Sequence, residues 1–110
     1  MMVGAVAEPL RLQFGELVID LERYQVLLRE RPLMLSYREY ALLVYLAGRA
    51  GQVVHKRQLL EEGLGRHDPG GLRTVDELVR HLKGVLDRFS YPCIQPVGDT
   101  GYRFEPVTSN

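Results

Sequence analysis

The sequence lacks several features that would indicate other classes of protein. Its 110 residues include a single cysteine, Cys93, so an internal disulfide is excluded, and a reducing compartment, the cytoplasm, is the expected location. No stretch approaches the ~18 consecutive apolar residues of a membrane span, so no membrane partner is expected. Internal repeats and low-complexity runs are also absent. What remains is one ordinary globular domain.

The sequence also has no formal net charge. Lysine and arginine number 14, and so do aspartate and glutamate, which gives a formal sum of zero. A basic total would have indicated nucleic acid directly. Neutrality does not exclude such a partner, because a domain needs one positive face and not a positive sum. Any assignment to nucleic acid therefore depends on where the cations lie.

The composition that is present suits a folded core. Hydrophobic residues make up 45% and charged residues 25%, which is typical of a soluble domain. A chain of this length buries enough surface to fold without disulfides or metals. We predict one domain over 10–106, with a flexible N-terminal segment, 1–9, and a flexible tail, 107–110.

Short apolar runs predict strands in the first third of the chain. Apolar residues alternate with polar ones over 10–14 and again over 17–21. A run of β-forming residues follows over 24–28, and Pro32 precedes a short apolar piece over 33–35. These four pieces predict a small antiparallel sheet near the N-terminus.

Two helices are predicted next. Ser36 and Glu39 have the spacing of a capping box, in which each side chain satisfies a backbone amide of the other residue. Leucines and alanines then recur on one face until Gly51, which we expect to stop the helix. A second, shorter helix is predicted over 56–64, with His55 as a poor cap.

A third helix is predicted over 74–89, because apolar residues recur there at helical spacing. Thr74 and Glu77 are again compatible with a capping box. The glycine-rich stretch 63–72 before it is a long loop for a helix-to-helix connection. Strand-like runs over 94–97 and 102–105 then flank a turn with a glycine at each end, which indicates a β-hairpin.

This order predicts an α+β fold of the winged helix-turn-helix type, with an N-terminal antiparallel sheet, three helices and a C-terminal hairpin as the wing. Four motifs narrow the assignment. They are LSYREYALL at 35–43, GQVVHKRQL at 51–59, RTVD at 73–76 and GYRF at 101–104. In this order and spacing, they resemble the DNA-binding effector domain of OmpR/PhoB-type response regulators. The resemblance extends over roughly residues 10–105.

The resemblance implies sequence-specific binding of double-stranded DNA in transcription regulation, with the third helix in the major groove. We expect Glu77 and His81 to face the bases. Glu77 can accept a hydrogen bond from cytosine, and His81 can donate to or accept from a purine edge. Thr74 shares their stripe and is the third expected base contact.

Five cations are expected to hold phosphates, which position the protein without specifying a sequence. They are Lys56 and Arg57 at the start of the second helix, and Arg73, Arg80 and Lys83 on the third. We expect these side chains to converge on one positive patch.

The chain also departs from the family. The expected wing stretch includes Gly98, Asp99 and Thr100 but no cation, so insertion into the minor groove is not expected unless Arg103 reaches out instead. Residues 73–88 include four basic and three acidic side chains, a sum of only +1 before His81 is counted. Weak or unusually tuned DNA binding is therefore expected.

Other partners and an alternative follow from the same features. By resemblance, the 63–72 loop contacts RNA polymerase and two copies bind DNA in tandem. Response regulators of this family have a receiver domain upstream, so the chain is either the effector domain of a longer parent chain or a stand-alone protein. The alternative is a winged-helix protein-interaction module whose DNA binding is weak or lost.

Catalysis and metal binding have little support in the sequence. The dipeptide His67-Asp68 has no further ligand at metal spacing, and Cys93 has no base nearby in the sequence. We predict neither an enzyme nor a cofactor.

Overall fold

The computed structural model describes residues 10–107, and the predicted flexible segment 1–9 lies outside them. The chain begins with four antiparallel strands in the order β1-β2-β3-β4. Their bounds are β1 (Arg11–Phe14), β2 (Leu17–Asp20), β3 (Gln25–Leu28) and β4 (Arg31–Pro32). Leu17, Ile19, Val26 and Leu28 form the buried face of this sheet. The predicted N-terminal sheet is therefore confirmed.

The fourth strand is not where the sequence placed it. We predicted a strand over 33–35, but β4 consists of Arg31 and Pro32, which pair with β3. The reason is a two-residue turn in which Arg29 and Glu30 both have positive φ, 51° and 68°. A turn of this kind matches the twist of a hairpin and returns the chain at once.

Helix α1 (Tyr37–Ala47) begins as predicted. The hydroxyl of Ser36 accepts from the backbone N–H of Glu39 at 3.1 Å, and the Glu39 carboxylate accepts from the N–H of Ser36 at 2.9 Å. Its predicted end at Gly51 was wrong, since the helix stops at Ala47. Gly51 instead has φ of 85° and donates its N–H to the carbonyl of Phe104 at 2.9 Å, which directs the chain into the next strand.

The second helical segment has the predicted extent but not the predicted regularity. After β5 (Val53–His55), α2 (Lys56–Gln58) continues as a π-helical stretch (Leu59–Leu64). A Cβ added at Gly63 would lie 3.3 Å from the side chain of Leu42 in α1, so the π-helical stretch approaches α1 closely. The following loop is shorter than the predicted 63–72, because this stretch extends to Leu64.

Helix α3 (Leu72–Arg88) begins two residues earlier than predicted. Its cap is Gly71 and not Thr74, so the capping box predicted for Thr74 and Glu77 was wrong. Thr74 lies at the third helical position, where its hydroxyl accepts from the N–H of Gly71 at 3.3 Å. The glycines before the helix let the chain enter without the side-chain cap that the pattern suggested.

The last two strands form the predicted hairpin, β6 (Ile94–Val97) and β7 (Gly101–Phe104). Strand β7 lies between β5 and β6, so the hairpin is joined to the strand that precedes α2. β7 begins at Gly101, one residue before the predicted start. A Cβ there would lie 2.0 Å from the carbonyl oxygen of Val54, so the close approach of β5 and β7 requires glycine.

One core joins both sheets and the helices. Leu43 and Leu46 of α1, Leu82 and Leu86 of α3, and Phe104 of β7 are almost fully buried in it. Val107, assigned by the sequence to the tail, packs against this core. Within residues 10–107, no helix is long and apolar enough to cross a membrane.

Candidate nucleic-acid interface

The outward face of α3 is an exposed stripe of four residues. Arg73, Glu77, Arg80 and Gly84 recur at intervals of four, three and four, opposite the buried face of the helix. Within residues 10–107, Arg73 and Arg80 have no acidic side chain within ion-pair distance. We call these four residues the outward stripe. Its two guanidinium groups are available to an external anion.

Beside the stripe, Asp76 connects three elements. Its carboxylate accepts from the hydroxyl of Tyr102 in β7 at 2.7 Å and from Nζ of Lys56 in α2 at 3.2 Å. The Tyr102 hydroxyl and then the Lys56 ammonium hold the pKa of Asp76 below its ordinary value, although burial opposes them. The sequence reasoning missed Asp76 and Tyr102 as site residues, although both belong to the quoted motifs RTVD and GYRF.

The five cations predicted to contact phosphate differ in whether they have partners within the fold. Lys56 pairs with Asp76, Arg57 lies 3.6 Å from Glu61, and Lys83 donates to the carbonyl of Ile94 at 3.0 Å. Three of the five predicted cations, with parts of α3 and the hairpin, line one shallow groove of about 300 Å³. Its lining is Lys56, Asp76, Val79, Arg80, Lys83, Pro96 and Tyr102. The structure thus brings together Lys56, Arg80 and Lys83, but an acidic side chain lies among them.

Two of the three predicted base contacts have internal partners. Nδ1 of His81 meets the carboxylate of Glu39, a buried residue that also completes the cap of α1. His81 therefore leans toward the start of α1, with its side chain 59% exposed. Thr74 is half-buried and bonds to Gly71. Glu77 alone belongs to the outward stripe.

The hairpin tip offers no positive charge. Gly98, with φ of 53°, Asp99 and Thr100 are exposed. The Thr100 carbonyl accepts from the backbone N–H of Lys56 at 3.2 Å, which fixes the tip beside the start of α2. Nε of Arg103 lies 3.1 Å from the carboxylate of Glu105, so this arginine does not reach out beyond the hairpin.

Most of the chain matches one known protein family. Residues 30–104, which are 75 of the 110, match the family model described as "Transcriptional regulatory protein, C terminal". The chain belongs to this family. The four motifs that predicted the membership, at 35–43, 51–59, 73–76 and 101–104, all lie within the matched residues.

Known proteins are similar to the chain in sequence and in structure. The chain is 39% identical over 102 residues to the transcriptional regulatory protein SrrA of Staphylococcus aureus, which covers 90% of this chain and 42% of SrrA. The chain thus spans less than half the length of that relative.

The C-terminal DNA-binding domain of RstA from Klebsiella pneumoniae superimposes with a TM-score of 0.75 at 33% identity, over 97% of this chain and 99% of that one. The response regulator DrrB of Thermotoga maritima, an OmpR/PhoB homologue, gives 0.73 at 30% identity, over 86% and 44%. The predicted winged helix-turn-helix is confirmed.

In this member of the family, the loop between the π-helical stretch and α3 is tied to α1. Arg38 donates twice to Asp68, at 2.6 and 3.0 Å, and Asp68 also accepts from the N–H of Gly70 at 2.8 Å. The Gly70 amide and the Arg38 guanidinium lower the pKa of Asp68. The loop is therefore held in one place by a bidentate ion pair.

The remaining titratable candidates have structural surroundings. Cys93 is fully buried, and burial raises the pKa of its thiol to about 12, which makes the thiolate scarce at neutral pH. His67 is exposed. Across the part of the chain that the structure describes, no group of three His, Cys, Asp or Glu side chains is arranged to hold a metal ion.

Proposed function

We propose that this domain binds double-stranded DNA sequence-specifically in transcription regulation, with α3 in the major groove. The observation that supports this best is the outward stripe, which places Arg73 and Arg80, without an ion-pair partner among residues 10–107, on one exposed helix face. A helix fits the major groove, and arginines on its exposed face can hold phosphates. A relative points the same way, since the RstA DNA-binding domain, 33% identical, was solved in complex with its RstA box. We also propose that the domain acts in the cytoplasm.

Within this proposal the cations have unequal roles. Arg73 and Arg80 hold phosphates directly, because no internal bond has to break first. Lys83 can do so by exchanging its hydrogen bond to the carbonyl of Ile94 for one to a phosphate. Lys56 and Arg57 contact phosphate only by leaving Asp76 and Glu61. The Arg57–Glu61 pair is exposed, and exposed ion pairs contribute only ~0–1 kcal/mol, whereas Lys56 and Asp76 are half-buried.

We assign base recognition first to Glu77, then to His81 and last to Thr74. This order follows because His81 and Thr74 have internal hydrogen-bond partners and Thr74 is also half-buried. Glu77 accepts from the exocyclic amine of cytosine. When the imidazole of His81 is neutral, its bond to Glu39 uses the proton on Nδ1, so Nε2 remains as an acceptor. His81 then reads a donor, such as the adenine or cytosine amine. The wing residues Gly98, Asp99, Thr100 and Arg103 contribute little, because the tip is acidic and Arg103 is paired.

A selection from random duplexes tests the proposal. The chain is expected to enrich one motif and to bind it less tightly as salt rises. Arg80→Ala should weaken binding, whereas Arg31→Ala should not, although it removes the same charge from the exposed strand β4. Failure to enrich any motif at low salt, or equal loss in both variants, would overturn the proposal.

A second candidate is a protein-interaction module, favoured by the internal pairing of Lys56, Arg57 and Arg103 and by the acidic tip. Here the 63–72 loop, which Asp68 and Arg38 hold against α1, presents a surface to RNA polymerase. Retention of purified RNA polymerase, without salt-dependent retention on heparin, would favour this module over DNA binding. Arg38→Ala should then weaken the retention.

The receiver domain and the tandem pair stay proposals. The similarity of this chain to 42% of SrrA is compatible with a longer parent protein that includes a receiver. A footprint twice the length of one domain on the selected duplex, with two chains per duplex by sedimentation, would support tandem binding. A footprint of a single domain with one chain would contradict it.

A further inference from the structure

Gly84 is an unexpected residue inside α3. It lies inside a helix of 17 residues, four positions before the last helical residue, Arg88, and it is exposed. Glycine lowers the stability of a helix interior relative to alanine, because it loses more backbone freedom on folding. An exposed glycine at such a position therefore lowers the stability of α3.

Within residues 10–107, no contact explains that cost. The φ of Gly84 is not in the positive region that favours glycine, and a Cβ added there would have no neighbouring atom of these residues within 4 Å. Gly101 differs, since a Cβ there would lie 2.0 Å from a carbonyl oxygen. Gly63 also differs, with a Leu42 atom at 3.3 Å. The fold requires glycine at Gly101 and packs closely at Gly63, but among the described residues it leaves open space for a side chain at Gly84.

The position of Gly84 indicates what fills that space. It belongs to the outward stripe, four residues after Arg80 and seven after Glu77. Every other member of the stripe presents a long polar side chain to the same side. A glycine among them allows the helix backbone to come closer to whatever the stripe faces.

We infer that Gly84 is a specificity-determining residue at the point where the backbone of α3 comes closest to DNA, with the DNA surface occupying the place of the missing side chain. This inference rests on the proposed function. The contact is one of shape, because Gly84 contributes no charge and no side-chain hydrogen bond. It also compensates for the small number of free cations, since a closer helix brings Arg80 and Glu77 nearer to the duplex.

The test compares Gly84→Ala with the parent chain on two duplexes, one selected from a random pool by the parent and one unrelated duplex of equal length. Affinity for the selected duplex should fall on the order of tenfold, as an added methyl group does in a tightly packed contact. Affinity for the unrelated duplex should change less. The slope of log affinity against log salt should stay the same, because no phosphate contact is lost.

Thermal unfolding of Gly84→Ala is the internal control. Alanine is the better helix former, so the variant should unfold at a higher temperature than the parent while binding less tightly. If Gly84 had only a structural role, the substitution would not raise the unfolding temperature and weaken binding at the same time. Gly84→Lys adds a second arm, since a long cation in a filled space should also weaken binding to the selected duplex.

Unchanged or tighter binding by Gly84→Ala, or tighter binding by Gly84→Lys, would overturn the inference, because the space would then be open in the complex. If Arg80→Ala weakens binding and Gly84→Ala does not, only this inference fails. If the parent chain binds no duplex in a salt-dependent way, both the inference and the proposed function fail.

Discussion

The cations around the hairpin and those on the outward stripe have the same formal charge but different surroundings. At the junction of α2 and the hairpin, Lys56 faces Asp76 and Arg103 faces Glu105. On the stripe, Arg73 and Arg80 have no such partner among the described residues. A count of basic residues therefore overstates the positive charge that a phosphate meets. What matters is which cations the fold leaves unpaired.

We expect the largest effect from a substitution that separates β5 from β7. Gly101→Ala places a Cβ 2.0 Å from the carbonyl oxygen of Val54, so β5 and β7 have to separate. We expect the free energy of unfolding to fall by about 3 kcal/mol or more, the upper end of the cost of overpacking. Chemical denaturation measures it. A loss below about 1 kcal/mol would mean that the two strands separate easily, and Gly84→Ala, at a glycine with free space, is the matched control.

The next prediction compares the two groups of cations directly. The double variant Arg73→Ala/Arg80→Ala should lower the slope of log affinity against log salt by about two, since each phosphate contact contributes about 0.9. The variant Arg57→Ala/Arg103→Ala removes the same charge from paired positions and should change the slope by less than one. Binding titrations at several salt concentrations give both slopes. Equal changes would show that internal pairing does not matter.

A smaller effect is expected from releasing one paired cation. Asp76→Asn keeps a side chain that can accept from Tyr102 but removes the charge that holds Lys56. Stability should fall by about 1 kcal/mol, the usual net contribution of one such interaction. Non-specific DNA affinity should rise, with a steeper salt dependence, because Lys56 becomes available to phosphate. Weaker non-specific binding by this variant would indicate that the pair helps to position the site.

The smallest effect concerns acid stability. The pKa of Asp76 is lowered by Tyr102 and Lys56, and that of Asp68 by Gly70 and Arg38. A lowered pKa in the folded state stabilises the fold fully above the unfolded value of about 4, and this contribution is lost as the pH falls through the folded value. Unfolding titrations between about pH 5 and 2 should therefore show less acid sensitivity for Asp76→Asn than for the parent. An identical pH dependence would exclude this linkage.

Local patterns predicted most of the secondary structure. The capping box at Ser36 and Glu39 fixed the start of α1, because both of its bonds lie within four residues. The errors came where a tertiary contact decided a boundary. α1 ends before Gly51, which is needed to bring the backbone to Phe104, and β4 is set by the turn at Arg29 and Glu30 and not by the apolar run after it.

The candidate site was harder to predict than the fold. Helical spacing alone placed Glu77 and Arg80 on the exposed face of α3, and it assigned His81 to the same stripe. It had no means of showing that Glu39, 42 positions earlier, binds His81, or that Asp76 binds Tyr102 of the hairpin. These pairs join segments whose distance depends on how helices and strands pack.

The family, the order of elements and the face of each helix follow from the sequence, because hydrophobic period, caps and turns act over a few residues. Tertiary structure decided which charges are free. Packing brought Asp76 to Lys56 and Glu39 to His81. Among residues 10–107 it left Arg73 and Arg80 without an acidic side chain at ion-pair distance. The attraction of a cation for an external phosphate depends strongly on the charged atoms within a few ångströms of that cation, and only the folded chain determines which atoms those are.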